Sequence, residues 1–227
     1  MPRVSLRRLA LYAAIVLAGV IAVPAAIFLT RPTVSPEAIQ SSVIRTPPLI
    51  ERAWALPVAA TFDRELAWQS NVSNCGPASL ANVFKSLGDD ATTEGAVVEG
   101  TGQCWLFGYC PIGLTLDELA EVARSKTYRN TAVLRNLTPE EFREHLRYSN
   151  NPENRYIINF LRAPIFGSGG GHHSPIGGYL EEEDLVFVLD VNESFRPWLI
   201  ERERLYAAMN TMDIHAKRGL LLIGPPP

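Results

Sequence analysis

The sequence predicts an α+β domain behind an apolar N-terminal segment. Three observations carry that expectation. Between residues 75 and 148 apolar side chains recur with helical period, and from residue 155 onward the pattern turns to short apolar runs separated by turn residues. Helices gathered first and strands gathered later indicate an α+β layout. The chain of 227 residues is 47% hydrophobic and 20% charged, enough for one sizeable core and unlike a disordered tail. The first 32 residues differ in composition from everything after them.

That N-terminal segment opens MPRVSLRR and continues with an uncharged, mostly apolar run from Leu9 to Thr30. Such a run is long enough to cross a bilayer, which needs about 20 residues. It reads as a cleavable signal or an uncleaved anchor. Val23-Pro24-Ala25 offers a small-residue cleavage site, but apolar residues continue through Leu29, which favours the anchor. Arginines ahead of the run place the N-terminus in the cytoplasm. The rest of the chain is then expected outside the cytoplasmic membrane, in the periplasm, or secreted if the signal is cleaved. Residues 33–55, rich in proline, are expected to form an extended tether, and residues 56–227 the folded domain.

Arg3, Arg7, Arg8 and Arg31 take four positive charges from a formal net charge of −3, which leaves −7 for the exported part. An acidic domain without a Lys/Arg stripe excludes nucleic acid as the expected partner. Three cysteines are an odd number for an oxidising compartment. Cys104 and Cys110 stand six residues apart and are suited to close a disulfide, which leaves Cys75 as the free thiol. Zinc is the rival reading of that pair, but neither cysteine has a histidine or further cysteine at ligand spacing.

After Cys75-Gly76-Pro77, the residues Leu80, Val83, Phe84 and Leu87 mark one face of a helix that Gly88 stops. Pro77 suits the first turn. A Gly-rich segment from Glu94 to Gly113 follows. Thr115 with Glu118, and Thr138 with Glu141, have capping-box spacing and open helices LDELAEVARS and PEEFREHLRY. Strands are expected at Arg155–Phe160, Ser174–Tyr179 and Leu185–Val191, with Glu181–Asp184 as a polar turn between the last two. A short helix over 201–209 and a closing strand over 219–223 complete the series.

The chemistry concentrates at three places. Cys75 sits at a helix mouth, where unpaired N–H groups and the helix dipole favour a thiolate. His172 and Asp190 lie on neighbouring antiparallel strands, so they can face each other across 18 positions; the histidine would move protons and the aspartate orient its ring. Gln69, six residues before Cys75, supplies an amide donor for a developing oxyanion, at a distance similar to that in papain-like cysteine peptidases. Taken singly, each feature has a bland reading: a structural cysteine, a solvated loop histidine, an aspartate capping a turn. Together, at these spacings, they favour a Cys-His-Asp site. The residues alone do not choose between His172 and His173. His145 reads as a solvated helix residue, His215 has no partner in the pattern, and Trp105, Phe107 and Tyr109 would either line the pocket or pack a covering loop.

QSNVSNCGPASLANVFKSLG, GGGHHSPIGGY and LVFVLDV together resemble the catalytic domain of phytochelatin synthases. That family's pattern is Gln, six positions on Cys-Gly-x-Ala-Ser, later G-x-G-H-F-S-P-I-G-G-Y, and an Asp eighteen residues past the histidine. GLTLDELAEVA, RYIINFLR, Trp198 soon after the aspartate, LYAAMNTMD and RGLLLIG agree as well, so the resemblance covers roughly Leu56 to Gly224. It implies a papain-like fold with Cys75 as nucleophile, His172 as general acid/base, Asp190 as orienting carboxylate and Gln69 as oxyanion donor. His173 falls where the family has phenylalanine and is expected to be a packing or pocket residue, with Gly171 and Arg196 also assigned to the substrate pocket. Three positions after the aspartate, where plant members carry an arginine, this chain has Glu193; Arg196 is the candidate to take its place. The cysteine-rich C-terminal extension of plant enzymes has no counterpart after the catalytic stretch, which puts metal sensing in doubt.

The resemblance implies cleavage of the Cys–Gly bond of glutathione, or of a related γ-glutamyl peptide, with hydrolysis favoured over phytochelatin synthesis. The chemistry requires no cofactor; a heavy-metal ion enters, if at all, as a glutathione thiolate co-substrate, and no metal-ligand set is assigned. The alternatives are a cysteine peptidase acting on another peptide and a non-catalytic periplasmic protein that binds thiols or metal thiolates. The sequence leaves a homodimer open.

Overall fold

The computed structural model describes Tyr12 and residues 33–227, apart from 105–107, 109, 111 and 112. The predicted N-terminal anchor and the aromatic residues Trp105, Phe107 and Tyr109 therefore lie outside the described residues. Among the described residues no helix is long and apolar enough to cross a membrane.

The domain is α+β, built on a six-stranded antiparallel sheet. In chain order the strands are β1 (Thr131–Leu134), β2 (Arg155–Leu161), β3 (Gly171–Leu180), β4 (Leu185–Val188), β5 (Trp198–Glu201) and β6 (Leu220–Ile223). They lie side by side in the order β1-β6-β2-β3-β4-β5. Helices cover both faces. On one side lie α3 (Cys75–Leu87) and α5 (Leu116–Lys126), on the other α6 (Pro139–Tyr148), the short α7 (Ala163–Phe166) and α8 (Arg202–Met209). Neighbouring strand residues point to opposite faces, and the core divides accordingly. Ile157, Phe187, Leu199 and Leu221 pack with Leu80, Phe84 and Leu119, whereas Ile158, Val186, Ile200 and Leu220 pack with Phe142, Leu146 and Leu205. Burial on both faces explains why the strands read as continuous apolar runs without a polar alternation.

Both predicted capping boxes form. The Thr115 hydroxyl accepts from the Glu118 N–H, the Thr138 hydroxyl from the Glu141 N–H, and each glutamate reaches back to its threonine. Glu181–Asp184 makes the β3–β4 turn, with Asp184 at φ 54°. The strand expected to run to Val191 leaves the ladder after Val188, and β1, a short helix α4 (Glu94–Val98) inside the Gly-rich segment, and β5 are additional elements.

The tether expected over residues 33–55 is instead folded. It forms α1 (Pro36–Ser42) and α2 (Pro47–Trp54), and Ile44 pairs with Leu199 at the edge of β5. Trp54 is buried edge-on against Phe187, with ring centroids 5.1 Å apart. The prolines that suggested an open chain occupy first-turn positions of both helices, where proline loses no hydrogen bond.

Candidate active site

Cys75 is the first residue of α3, and its preceding residue Asn74 gives the helix no side-chain cap. The Asn74 amide is turned away to Glu94 Oε2 at 3.0 Å and to the Gly108 carbonyl at 3.3 Å. The first-turn N–H groups of a helix have no intrahelical acceptor, so they and the dipole favour negative charge at the thiol. The loop before the helix is pinned at both ends. The Asn82 side chain accepts from Ala67 N at 2.9 Å and donates to Ala67 O at 2.8 Å, and Gln69 N donates to Val191 O at 2.8 Å. Cys75 is the one free cysteine and is buried, since Cys104 and Cys110 form the expected disulfide.

The β2–β3 register sets Phe160 opposite His172 and Asn159 opposite His173. His172 Nε2 lies 2.9 Å from Asp190 Oδ1. A carboxylate only accepts, so Nε2 carries the proton and Nδ1 is left for the thiol. Between the two histidines, the one held by the aspartate is His172. His173 faces the α3 side of the sheet and also reaches the thiol, with Nδ1 3.8 Å from Cys75 Sγ.

Asp190 is fully buried and bound entirely by donors. Arg162 Nη2 sits 3.0 Å from both carboxylate oxygens, Trp198 Nε1 3.1 Å from Oδ2, and Asn192 N 3.0 Å from Oδ1. The Arg162 guanidinium is in turn stacked on the Phe195 ring, 3.4 Å from its centroid. Burial pushes the Asp190 carboxyl up, but Arg162 and His172 outweigh it and hold the group well below the usual carboxylate range. Burial likewise disfavours the Cys75 thiolate, yet the charge and hydrogen bond of His172, with help from His173, bring the thiol well below its ordinary value. Burial and Arg162 push His172 down, and Asp190 and Cys75 more than offset them, so its imidazolium is favoured. The balance favours a thiolate–imidazolium pair with the ring held by an ionised aspartate. Such a pair suits nucleophilic attack on a carbonyl followed by protonation of a leaving amine.

The remaining predicted residues are placed as follows. Gln69 is half-buried beside Val191; its Nε2 donates to Asn71 O at 2.7 Å, and its Oε1 is buried without a partner among the described residues. Gly171 makes room for a cation, because a Cβ there would stand 2.4 Å from Arg218 Nη1. Arg196, at φ 50°, lines a cavity of about 400 Å³ with Arg45, Ile50, Trp54 and Phe195. Arg45 is bound to the Phe195 carbonyl. Glu193 is exposed. Among the described residues no group of three or more His, Cys, Asp or Glu is placed to hold a metal ion.

Arg162, Asn159 and Arg218 were not singled out by the sequence. The signal present was a charged residue at the end of an apolar strand, in NFLR, and it does not say which carboxylate the arginine meets.

The family model for phytochelatin synthase matches residues 29–220. Among curated proteins, the chain is 34% identical over 116 residues to glutathione gamma-glutamylcysteinyltransferase 3 of Lotus japonicus, covering 49% of this chain and 24% of that protein. It is 29% identical over 178 residues to the glutathione gamma-glutamylcysteinyltransferase of Schizosaccharomyces pombe, covering 71% of this chain and 42% of that one. The chain thus spans less than half the length of these relatives. Among solved structures, the peptidase domain of Streptococcus ComA superposes with a TM-score of 0.50 at 17% identity, over 73% of this chain and all of that domain, which is a likeness of fold.

Proposed function

The chain belongs to the phytochelatin synthase family, and from that premise we propose that it cleaves the Cys–Gly bond of glutathione, or of a related γ-glutamyl thiol peptide, through an acyl-enzyme on Cys75. The observation that carries this reading is the buried His172–Asp190 pair beside a thiol at a helix N-terminus. The Cys75 thiolate attacks the cysteinyl carbonyl, and the carbonyl π electrons move onto oxygen. The first-turn N–H groups of α3 and the amide of Gln69 are the donors assigned to that oxyanion. As the oxyanion collapses, the C–N bond breaks and His172 gives its Nδ1 proton to the departing glycine nitrogen. A γ-glutamylcysteinyl thioester remains. Neutral His172 then takes a proton from water, whose oxygen attacks the thioester, and the Cys75 thiolate leaves as γ-glutamylcysteine forms.

A second glutathione attacking through its amine in place of water would yield a phytochelatin. We favour hydrolysis, because the arginine that plant members carry three positions past the aspartate is here the exposed Glu193. A heavy-metal ion would enter this scheme only as part of a thiolate substrate. The domain is assigned to the periplasmic side of the membrane on the strength of the sequence of residues 1–32.

The test is incubation of the purified domain with glutathione, with glycine release followed by amine derivatisation and the products weighed. Release from the parent, a mass gain on Cys75 matching a γ-glutamylcysteinyl group, and no release from Cys75→Ala are expected. No release from the parent, or undiminished release from Cys75→Ala, overturns the assignment; longer peptides as the main product overturn the preference for hydrolysis.

A further inference from the structure

His173 is a buried imidazole 3.8 Å from the Cys75 sulfur, at a position where the family pattern has a phenylalanine that can neither donate nor accept. Its second nitrogen is equally engaged. Asn159 Nδ2 approaches His173 Nε2 at 2.8 Å, and the orientation of that amide is settled by its other end. Arg218 Nη1 lies 2.6 Å from Asn159 Oδ1, and a guanidinium only donates, so the atom facing it is the amide oxygen. The nitrogen facing His173 can therefore only donate, and His173 Nε2 must accept. With Nε2 bare, the ring proton sits on Nδ1 and points to Cys75. Ser79 fixes the strand here by donating to the His173 carbonyl at 3.1 Å, and Asp213 Oδ1 holds Arg218 Nη2 at 3.2 Å.

We propose that His173 is a second donor to the Cys75 thiolate, locked as its Nδ1–H tautomer by Asn159 and Arg218, and that it holds charge while His172 moves protons. Every hydrogen bond from Arg218 through Asn159 and His173 to the sulfur is donated in the same direction, so each polarises the next. His173 touches the reacting atom; Asn159 and Arg218 are positioning residues. The consequence is largest when the thioester breaks, because a better stabilised thiolate leaves faster. Gly171 belongs to this device, since only a residue without a Cβ lets the Arg218 guanidinium lie against β3.

The proposal rests on Cys75 as nucleophile, but its test does not use turnover. Cys75 is the one free cysteine, so the pH dependence of its alkylation by iodoacetamide, read by intact mass, reports on this thiol. The charged groups around it are His172, Asp190, Arg162, Arg218 and Asp213, and neither variant below alters them. His173→Phe keeps an aromatic ring and removes the donor. Its alkylation midpoint is expected to move up by about one pH unit, roughly a tenfold loss of thiolate at a pH below the midpoint. His173→Asn keeps an N–H near the Nδ1 position, and its midpoint is expected within about 0.3 unit of the parent. An unmoved midpoint in His173→Phe, or equal shifts in both variants, overturns the proposal. If the variants fail to fold, imidazole ¹⁵N spectra of the parent decide: Nδ1 protonated with Nε2 bare is expected, and the opposite tautomer refutes the assignment. Loss of glycine release in the parent with an intact alkylation profile would sink the glutathione reading and leave this one standing.

Discussion

Replacing Asp190 by asparagine preserves the size of the side chain and reverses one end of it. Each of the four groups around the carboxylate is a donor: Arg162 Nη2, His172 Nε2, Trp198 Nε1 and Asn192 N. An amide supplies one acceptor and one donor, so an N–H must face at least one of those donors, and the Arg162 charge loses its counterion inside the protein. Arg162 and Asp190 side chains are 7% and 0% exposed, so solvent cannot replace the lost partner. Breaking a buried pair from one side costs about 3–5 kcal/mol, a large part of the roughly 5–15 kcal/mol that holds a domain folded. With a urea m-value of about 2 kcal/mol/M, the midpoint should fall by about 1.5–2.5 M at unchanged slope. Fluorescence-monitored urea unfolding at pH 7 measures this directly. A midpoint within about 0.5 M of the parent would mean that Asp190 and Arg162 are not paired in the folded protein, and the account of how His172 is oriented would go with them.

Activity should follow a bell in pH. The Cys75 thiol titrates well below its ordinary value and His172 above its own, so the reactive ion pair fills the window between them. Rates fall when the thiolate protonates on the acid side and when the imidazolium deprotonates on the alkaline side. An activity that rises monotonically to pH 9 and beyond would show that no such pair forms. For stability, the Asp190 carboxyl is depressed on folding, so its contribution is present above the unfolded value of about 3.9 and is lost as pH falls toward the folded value. His172 has the opposite sign: its contribution is complete below about 6.5 and is lost as pH rises through the raised folded value. The parent's urea midpoint should therefore drop on acidification below about pH 4, and Asp190→Asn should lose part of that slope; identical acid slopes would contradict it. Gly177→Ala places a Cβ 2.7 Å from Phe187 Cδ1 and 3.0 Å from Leu189 Cγ. Crowding of that kind in a packed core costs about 1–3 kcal/mol, measurable in the same urea experiment, and an unchanged midpoint would show that the Phe187 ring can move aside.

What the sequence determined by itself is local in kind. The helix from Cys75, both threonine–glutamate capping boxes, the Glu181–Asp184 turn and the strand on either side of it are fixed by interactions between residues close together in the chain, so their spacing is legible in one dimension. The placement of Cys75 at the mouth of that helix was legible for the same reason, because a helix start is a local event. The 18-residue separation of His172 and Asp190 worked because one hairpin turn lies between them.

What the tertiary structure decided depends on faces and on partners far along the chain. The proline-rich stretch before residue 56 became two packed helices once Trp54 had Phe187 to bury against, and proline content alone cannot distinguish a helix's first turn from an open tether. Adjacent positions on a strand point to opposite sides, so the pair His172-His173 was ambiguous until the sheet set Asp190 against His172 and Asn159 against His173. Arg162 meets Asp190 across 28 residues, and Arg218 meets Asn159 across 59. A buried charge keeps no periodic signature; its partner is set by strand order and register, which exist only when the sheet has closed.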